Sequence, residues 1–156
     1  MPRRVSVLTR GSSGALTSLL GAATAVSLMT ACGSSRDLQF RMYDTRHQAG
    51  VEIRTTDLVR TSARAGTVPG NPPALYFRLT DEGELKFRRL SRVLAKRGAR
   101  LHAFQRMAIE IDGKVYARPA VDYKVYPDGL TPDTGFEISL RDLATARRLA
   151  DKLRSG

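Results

Sequence analysis

The sequence predicts an α+β domain in which a mostly antiparallel sheet carries two main helices packed on one face. Three observations lead there. Two segments, 81–97 and 143–153, place apolar residues at helical intervals. Between them, residues 107–121 alternate around Asp112-Gly113, a two-residue turn signal in which glycine accepts a positive φ at low cost. The remaining apolar runs are short and bounded by Gly, Pro, Asn and Asp, as strands are. Helices collected on one face of an antiparallel sheet make an α+β sandwich.

In chain order, "LQFRMY" (38–43) and Val51-Glu52-Ile53 alternate well enough for short strands. Residues 57–65 read as a short helix with Thr56 or Asp57 as its N-cap. "GTVPGNPP" (66–73) is a loop, and "ALYFRL" (74–79) a strand. Asp81 and Glu84 have capping-box spacing at the start of the first long helix. Its Phe87, Leu90 and Leu94 share one face, with Val93 beside them. Arg88, Arg92 and Lys96 line another face with Arg89 near, and Gly98 is the expected stop. Pro119 limits the second strand of the 107–121 hairpin. Residues 121–126 read as a further strand, "PDGLTPDTG" as loop and "FEIS" as the last strand. Ser139 and Asp142 are spaced as a capping box for the final helix, whose buried stripe is Leu143, Ala146, Leu149, Ala150 and Leu153.

Ahead of this domain lies a different kind of segment. Residues 1–10 carry Arg3, Arg4 and Arg10 and no acid, and 14–31 carry no charge. A basic start, an apolar run and small residues are the layout of a secretory leader. The run is diluted by Thr, Ser and Gly and falls short of the ~20 residues of a comfortable span. Arg3-Arg4 hints at a twin-arginine route, although the following "VSVL" lacks the usual bulky residue. Leu28-Met29-Thr30-Ala31-Cys32 resembles a bacterial lipobox, with Met29 where leucine is commoner. The resemblance implies acylation of Cys32 and cleavage before it; the alternative is an ordinary signal peptide and a chance cysteine. The expected organisation is thus a leader over 1–31, a polar tether over 32–37 and a single domain over 38–156. The expected location is the extracytoplasmic face of a membrane, held by lipid at Cys32, where stable anchoring takes about two acyl chains. Cys32 is the lone cysteine, so no internal disulfide forms.

The chain carries 26 basic and 15 acidic side chains, and the leader takes away three arginines and no acid, so the net charge falls from +11 to +8. A basic surface near a membrane favours anionic lipid, wall polymer or acidic polypeptide, and is otherwise an ordinary solvated surface. No catalytic activity, cofactor, metal or small-molecule substrate is expected. His47 and His102 stand without partners, no serine has nucleophile-elbow context, and phosphate- and dinucleotide-binding motifs are missing. Acids at 81, 82 and 84 suit a helix start. Nucleic acid is not expected either, because the aromatics do not interleave with the bases.

"LTDEGELKFRRLS", "MAIEIDGKVYARPAV" and "ATARRLADKLRSG" together resemble the P1 head subdomain of SecD and SecDF, membrane components of bacterial protein export. Thr80, Glu82, Gly83 and Phe87 match the opening of the family's helix. Ala108, Ile109, Ile111, Asp112, Gly113, Lys114, Val115 and Pro119 match its hairpin; Ala146, Leu149, Ala150, Leu153 and Gly156 match its closing helix. The likeness runs from about Ile53 to Gly156 and rests on caps, turns and core positions. Ala117-Arg118 stands where the family usually has Ser-Ala. The resemblance implies only the head's part, contact with exported polypeptide or the translocation machinery, without the proton-coupled helices that follow in SecD. The expected contact surface is Arg88, Arg92 and Lys96, used either to steer polypeptide or, alternatively, to lie on anionic lipid or wall polymer.

Overall fold

The computed structural model describes residues 6–7, 38–132 and 135–156. The tether, Cys32 and all of the leader except residues 6–7 lie outside the described residues. The chain forms β1 (Ser6–Val7), β2 (Phe40–Asp44), β3 (Glu52–Arg54), β4 (Leu58–Gly66), β5 (Ala74–Leu79), α1 (Asp81–Leu101), β6 (Gln105–Ile111), β7 (Lys114–Ala117), β8 (Ala120–Val121), β9 (Phe136–Ser139) and α2 (Leu143–Ser155). This is the expected α+β class. The strands divide between two sheets, one in the order β1-β9-β5-β4 and the other β3-β2-β6-β7 with β8 also on β6. Among the described residues, every pairing is antiparallel except β1 with β9. Helix α2 lies on β4 and β5, whereas α1 lies chiefly across β3, β6 and β8.

The two sheets meet through aromatic packing. Phe40 of β2 sits edge-on to Phe77 of β5 at 5.4 Å, Phe77 stacks on Phe136 of β9 at 5.3 Å, and Phe136 meets Phe87 of α1 edge-on at 4.8 Å. These are favourable ring geometries, and each pair adds ~0.5–1.5 kcal/mol beyond the area it buries. Leu90 and Leu94 of α1 and Ala146, Leu149, Ala150 and Leu153 of α2 are buried, as their spacing predicts.

Residues 57–65 do not form a helix. Thr55–Asp57 is a single 3-10 turn, and the chain then extends as β4, pairing Leu58 with Leu79 and Gly66 with Ala74. Asp57 does cap, but it caps this turn, accepting the Arg54 amide at 2.8 Å. Nonlocal pairing with β5 overrides the local signal. Residues 121–126 also differ: only Ala120 and Val121 pair with β6, and beyond them Asp122 accepts the Lys124 amide while its carbonyl accepts that of Tyr126. The helix caps sit one or more residues from where the capping-box spacing puts them. Thr80 accepts the Gly83 amide at 3.1 Å for α1, and Asp142 accepts the Thr145 amide at 2.7 Å for α2. Gly98 does not end α1. The helix runs on to a left-handed cap at His102, φ 50°, and Gly98 is small because Tyr123 packs there. At the hairpin, Asp112 and Gly113 have φ of 50° and 75°, as the turn requires.

Gly83 has a different task. A Cβ at this position would lie 2.6 Å from the carbonyl oxygen of Asp57 and 2.9 Å from its Cβ. Gly→Ala in a helix interior ordinarily gains up to ~1 kcal/mol. Here Gly83→Ala should instead destabilise by ~1–3 kcal/mol, the cost of overpacking. The check is a lower denaturant midpoint with an unchanged slope; an unchanged or higher midpoint would show that the approach of Asp57 is not a constraint.

Candidate functional site

An apolar cleft opens beside β9, between α1 and β6. Phe87, Met107, Ile109, Pro119, Phe136 and Glu137 line it, together with Leu130 from the loop that precedes β9. Its free volume is about 20 Å³, enough for one water and too little for an apolar side chain. Entry of a larger group therefore requires the lining to rearrange, and Leu130 is the lining residue carried on a loop. The pin on that loop is small. The Leu130 amide donates to Ser91 Oγ at 2.9 Å, the Ser91 hydroxyl lies 3.4 Å from the Leu130 carbonyl, and Arg92 Nε donates to the Asp128 carbonyl at 3.3 Å. Gly129, φ 90°, brings the loop close, since a Cβ there would lie 2.7 Å from the Arg92 amide nitrogen.

The outer face of α1 lies on the other side of the same helix. Arg88, Arg92 and Lys96 are exposed there, as is Arg89. With Leu85 they border an open hollow of about 590 Å³. Arg88 reaches Glu84 only at 4.0 Å, a weak pair on an exposed helix surface. The face is thus basic, solvated and joined to the cleft by adjacent residues, Ser91 facing in and Arg92 facing out.

No family profile and no curated protein sequence matches the chain. Two solved structures do. One is the crystal structure of SecDF in a super-membrane-facing form, with a TM-score of 0.54 and 21% identity over 76% of this chain and 18% of that one. The fold is SecDF-like. The second belongs to a study of SecDF as a membrane component that enhances protein export, with a TM-score of 0.51 and 21% identity over 76% of this chain and 62% of that one. The chain therefore spans less than a fifth of the first SecDF chain and about three-fifths of the second.

The SecDF-like framework also brings together charged groups that the sequence pattern does not pair. On the outer side of the second sheet, Arg41 is bonded to Glu52 and lies 3.6 Å from Glu110, while the Tyr43 hydroxyl donates to Glu110 at 2.9 Å. Hydrogen bonding to Glu110, aided by burial, raises the Tyr43 hydroxyl above its ordinary pKa. Burial pushes the Glu52 carboxyl up, but Arg41 and Arg54 together hold it below its usual range. A tyrosine that keeps its proton and a glutamate that stays ionised are not poised for proton transfer near neutral pH. His47 stacks on Tyr43 at 4.8 Å, and His102 is a helix cap. Among the described residues, no cluster of His, Cys, Asp and Glu could hold a metal.

The most buried charges are structural. Arg97, at the inner side of α1, grips Asp44 at 2.6 and 2.8 Å and also donates to Gln105 at 2.9 Å and Gln48 at 3.2 Å. Burial alone would raise the Asp44 pKa, yet the bonds from Arg97 and from the Arg46 and Gln48 amides leave it below the ordinary value. A carboxyl depressed by folding adds stability above its unfolded pKa of ~3.9, and the gain is lost as the pH falls through the folded value. Asp44→Asn should cost ~3–5 kcal/mol at neutral pH, because Arg97 is left buried without its counter-charge. The variant should also lose less stability than the wild type below pH ~4. Denaturant titrations at both pH values measure this, and equal acid sensitivity of the two proteins would contradict the assignment.

Proposed function

We propose that the chain is an extracytoplasmic binding module of the SecDF P1 head type, tethered by lipid at Cys32, that takes an apolar side chain of an extended polypeptide into the cleft between Phe87 and Phe136. The observation that carries this reading is the cleft itself: an apolar lining with two aromatic rings, to which a loop held through Ser91 contributes one leucine. The SecDF-like fold supports it, and so does the leader-like start of the sequence. Leu130 is then an internal stand-in for the ligand, and the chain performs no chemistry on what it binds. The basic face of α1 speeds the approach of polypeptide, and the desolvated contact in the cleft sets its lifetime.

Two variants separate these roles. Leu130→Ala removes the competing side chain and should tighten binding of a permanently unfolded polypeptide by about tenfold, the worth of ~1.4 kcal/mol. The double change Arg88→Glu, Arg89→Glu, which leaves Arg92 on the Asp128 carbonyl, should slow association and flatten its dependence on salt between ~0.1 and ~1 M, with dissociation nearly unchanged. Both rates are read with the full chain over immobilised polypeptide. If neither the wild type nor Leu130→Ala binds, the polypeptide reading fails. If the wild type binds no unfolded polypeptide but binds anionic vesicles, and the Arg88→Glu, Arg89→Glu variant binds neither, the basic face has an envelope-contact role.

The anchor is tested separately. Cys32→Ser should move the protein from the membrane fraction to the soluble fraction and abolish the lipid mass increment. A variant that stays membrane-bound with the mass of the processed wild type would defeat the lipid assignment.

A further inference from the structure

The C-terminal end of α1 carries an unusual concentration of exposed apolar side chains. Leu101 is 51% exposed and Phe104 59%, on either side of the His102 cap. Val125 is 52% exposed on the turn after β8. That turn is fixed at the same end of the molecule, because Tyr123 packs against Gly98, one turn before the cap. Single exposed apolar residues are ordinary, whereas a group of large ones gathered at one end marks an interaction surface.

Bases surround the group. Lys96 and Arg100 precede Leu101, Arg106 follows Phe104, and Lys124 precedes Val125; all four are exposed. Among the described residues, none of them has a carboxylate partner within ion-pair distance. The acid of this segment, Asp122, is half-buried and is occupied with the Lys124 amide at 2.9 Å. Leu101, Phe104 and Val125 line none of the hollows described above. They are exposed at a helix end and on a turn.

We infer that this end docks on an anionic lipid bilayer, with Phe104, Leu101 and Val125 entering the headgroup–acyl boundary and Lys96, Arg100, Arg106 and Lys124 meeting lipid phosphates. Apolar and aromatic side chains ringed by bases suit that boundary, where an apolar tip and a positive rim are satisfied together. A second copy of this chain is the poorer occupant, since it would bring the same positive charge to the contact. This docking is independent of the cleft and of any polypeptide in it. It would fix which way the cleft faces.

The chain contains no tryptophan. Phe104→Trp therefore provides a single fluorescent reporter in the full-length protein, and Val68→Trp, on the loop between β4 and β5, provides a control. Each variant is mixed with vesicles whose acyl chains are brominated, either phosphatidylglycerol with phosphatidylcholine or phosphatidylcholine alone. On anionic vesicles the emission of the Phe104→Trp protein should shift to the blue and be quenched, while that of the Val68→Trp protein stays unquenched. Neutral vesicles should leave both reporters unquenched. With Arg100→Glu and Lys124→Glu added to Phe104→Trp, the vesicle affinity read from quenching should fall by roughly fivefold for each base removed. An unquenched Phe104→Trp protein on anionic vesicles overturns the inference. So does equal quenching of the two reporters, which would mean the chain is held without a preferred orientation. A lipid-free blue shift that grows with protein concentration would assign the surface to self-association instead.

Discussion

The approach of Asp57 to α1 at Gly83 is the contact on which the rest of the arrangement depends. The 3-10 turn at 55–57 is the crossing between the two sheets, with β3 on one side and β4 on the other. Asp57 fastens both directions. Its carboxylate accepts the Arg54 amide and the Lys86 ammonium, each at 2.8 Å, and its carbonyl accepts the Thr80 amide at 2.8 Å, just ahead of α1. Only a residue without a side chain lets the helix come that close. The Thr80–Gly83 stretch that resembles the SecDF head is thus a joint rather than a chemical motif. Thr80 caps the helix, and Gly83 admits the crossing turn.

Once that joint sets the first turn of α1, the position of Phe87 follows one turn later, and the aromatic chain from Phe87 through Phe136 and Phe77 to Phe40 links helix, first sheet and second sheet. The far side of the molecule is closed differently. Lys152 of α2 is bonded to Asp112 at the hairpin turn, and Asp112 exchanges backbone and side-chain bonds with Gln39 at 2.7 and 3.0 Å. The two sheets are therefore held at both ends by polar clasps and in the middle by rings. The cleft lies where the middle is incompletely filled, and Leu130 occupies what remains.

Local physics makes the helices and the hairpin legible. Their apolar spacing, their acids at the start of α1 and the Asp112-Gly113 pair act over a few residues, so sequence alone reveals them. Two of the misreadings share one cause, a partner distant in the chain. The signal at Thr56 and Asp57 for a helix start is real capping chemistry spent on a single turn, because β5 supplies a ladder for residues 58–66. Gly98 reads as a stop, but its small size accommodates Tyr123, 25 residues on in sequence. The cleft is invisible in the sequence for the same reason, since Ser91 and Leu130 are 39 residues apart. Arg97 stands among other bases with nothing to mark it, and only the fold shows that Asp44, 53 residues away, consumes its charge.

The same helix therefore serves three surfaces, and the spacing of its residues decides which surface each one joins. Phe87, Leu90 and Leu94 fill the core, Arg88, Arg92 and Lys96 face solvent, and Ser91 sits at the boundary with its hydroxyl on the loop that carries Leu130. Arg92, the next residue, holds the same loop through the Asp128 carbonyl. An anion drawn to the basic face would compete for Arg92 and weaken one of the bonds that hold Leu130 down. Charge on the outside of α1 and apolar contact on its inside are thereby coupled through two adjacent residues. Under the proposed function, the guanidinium that attracts an acidic stretch of polypeptide is also the one whose release lets an apolar stretch enter.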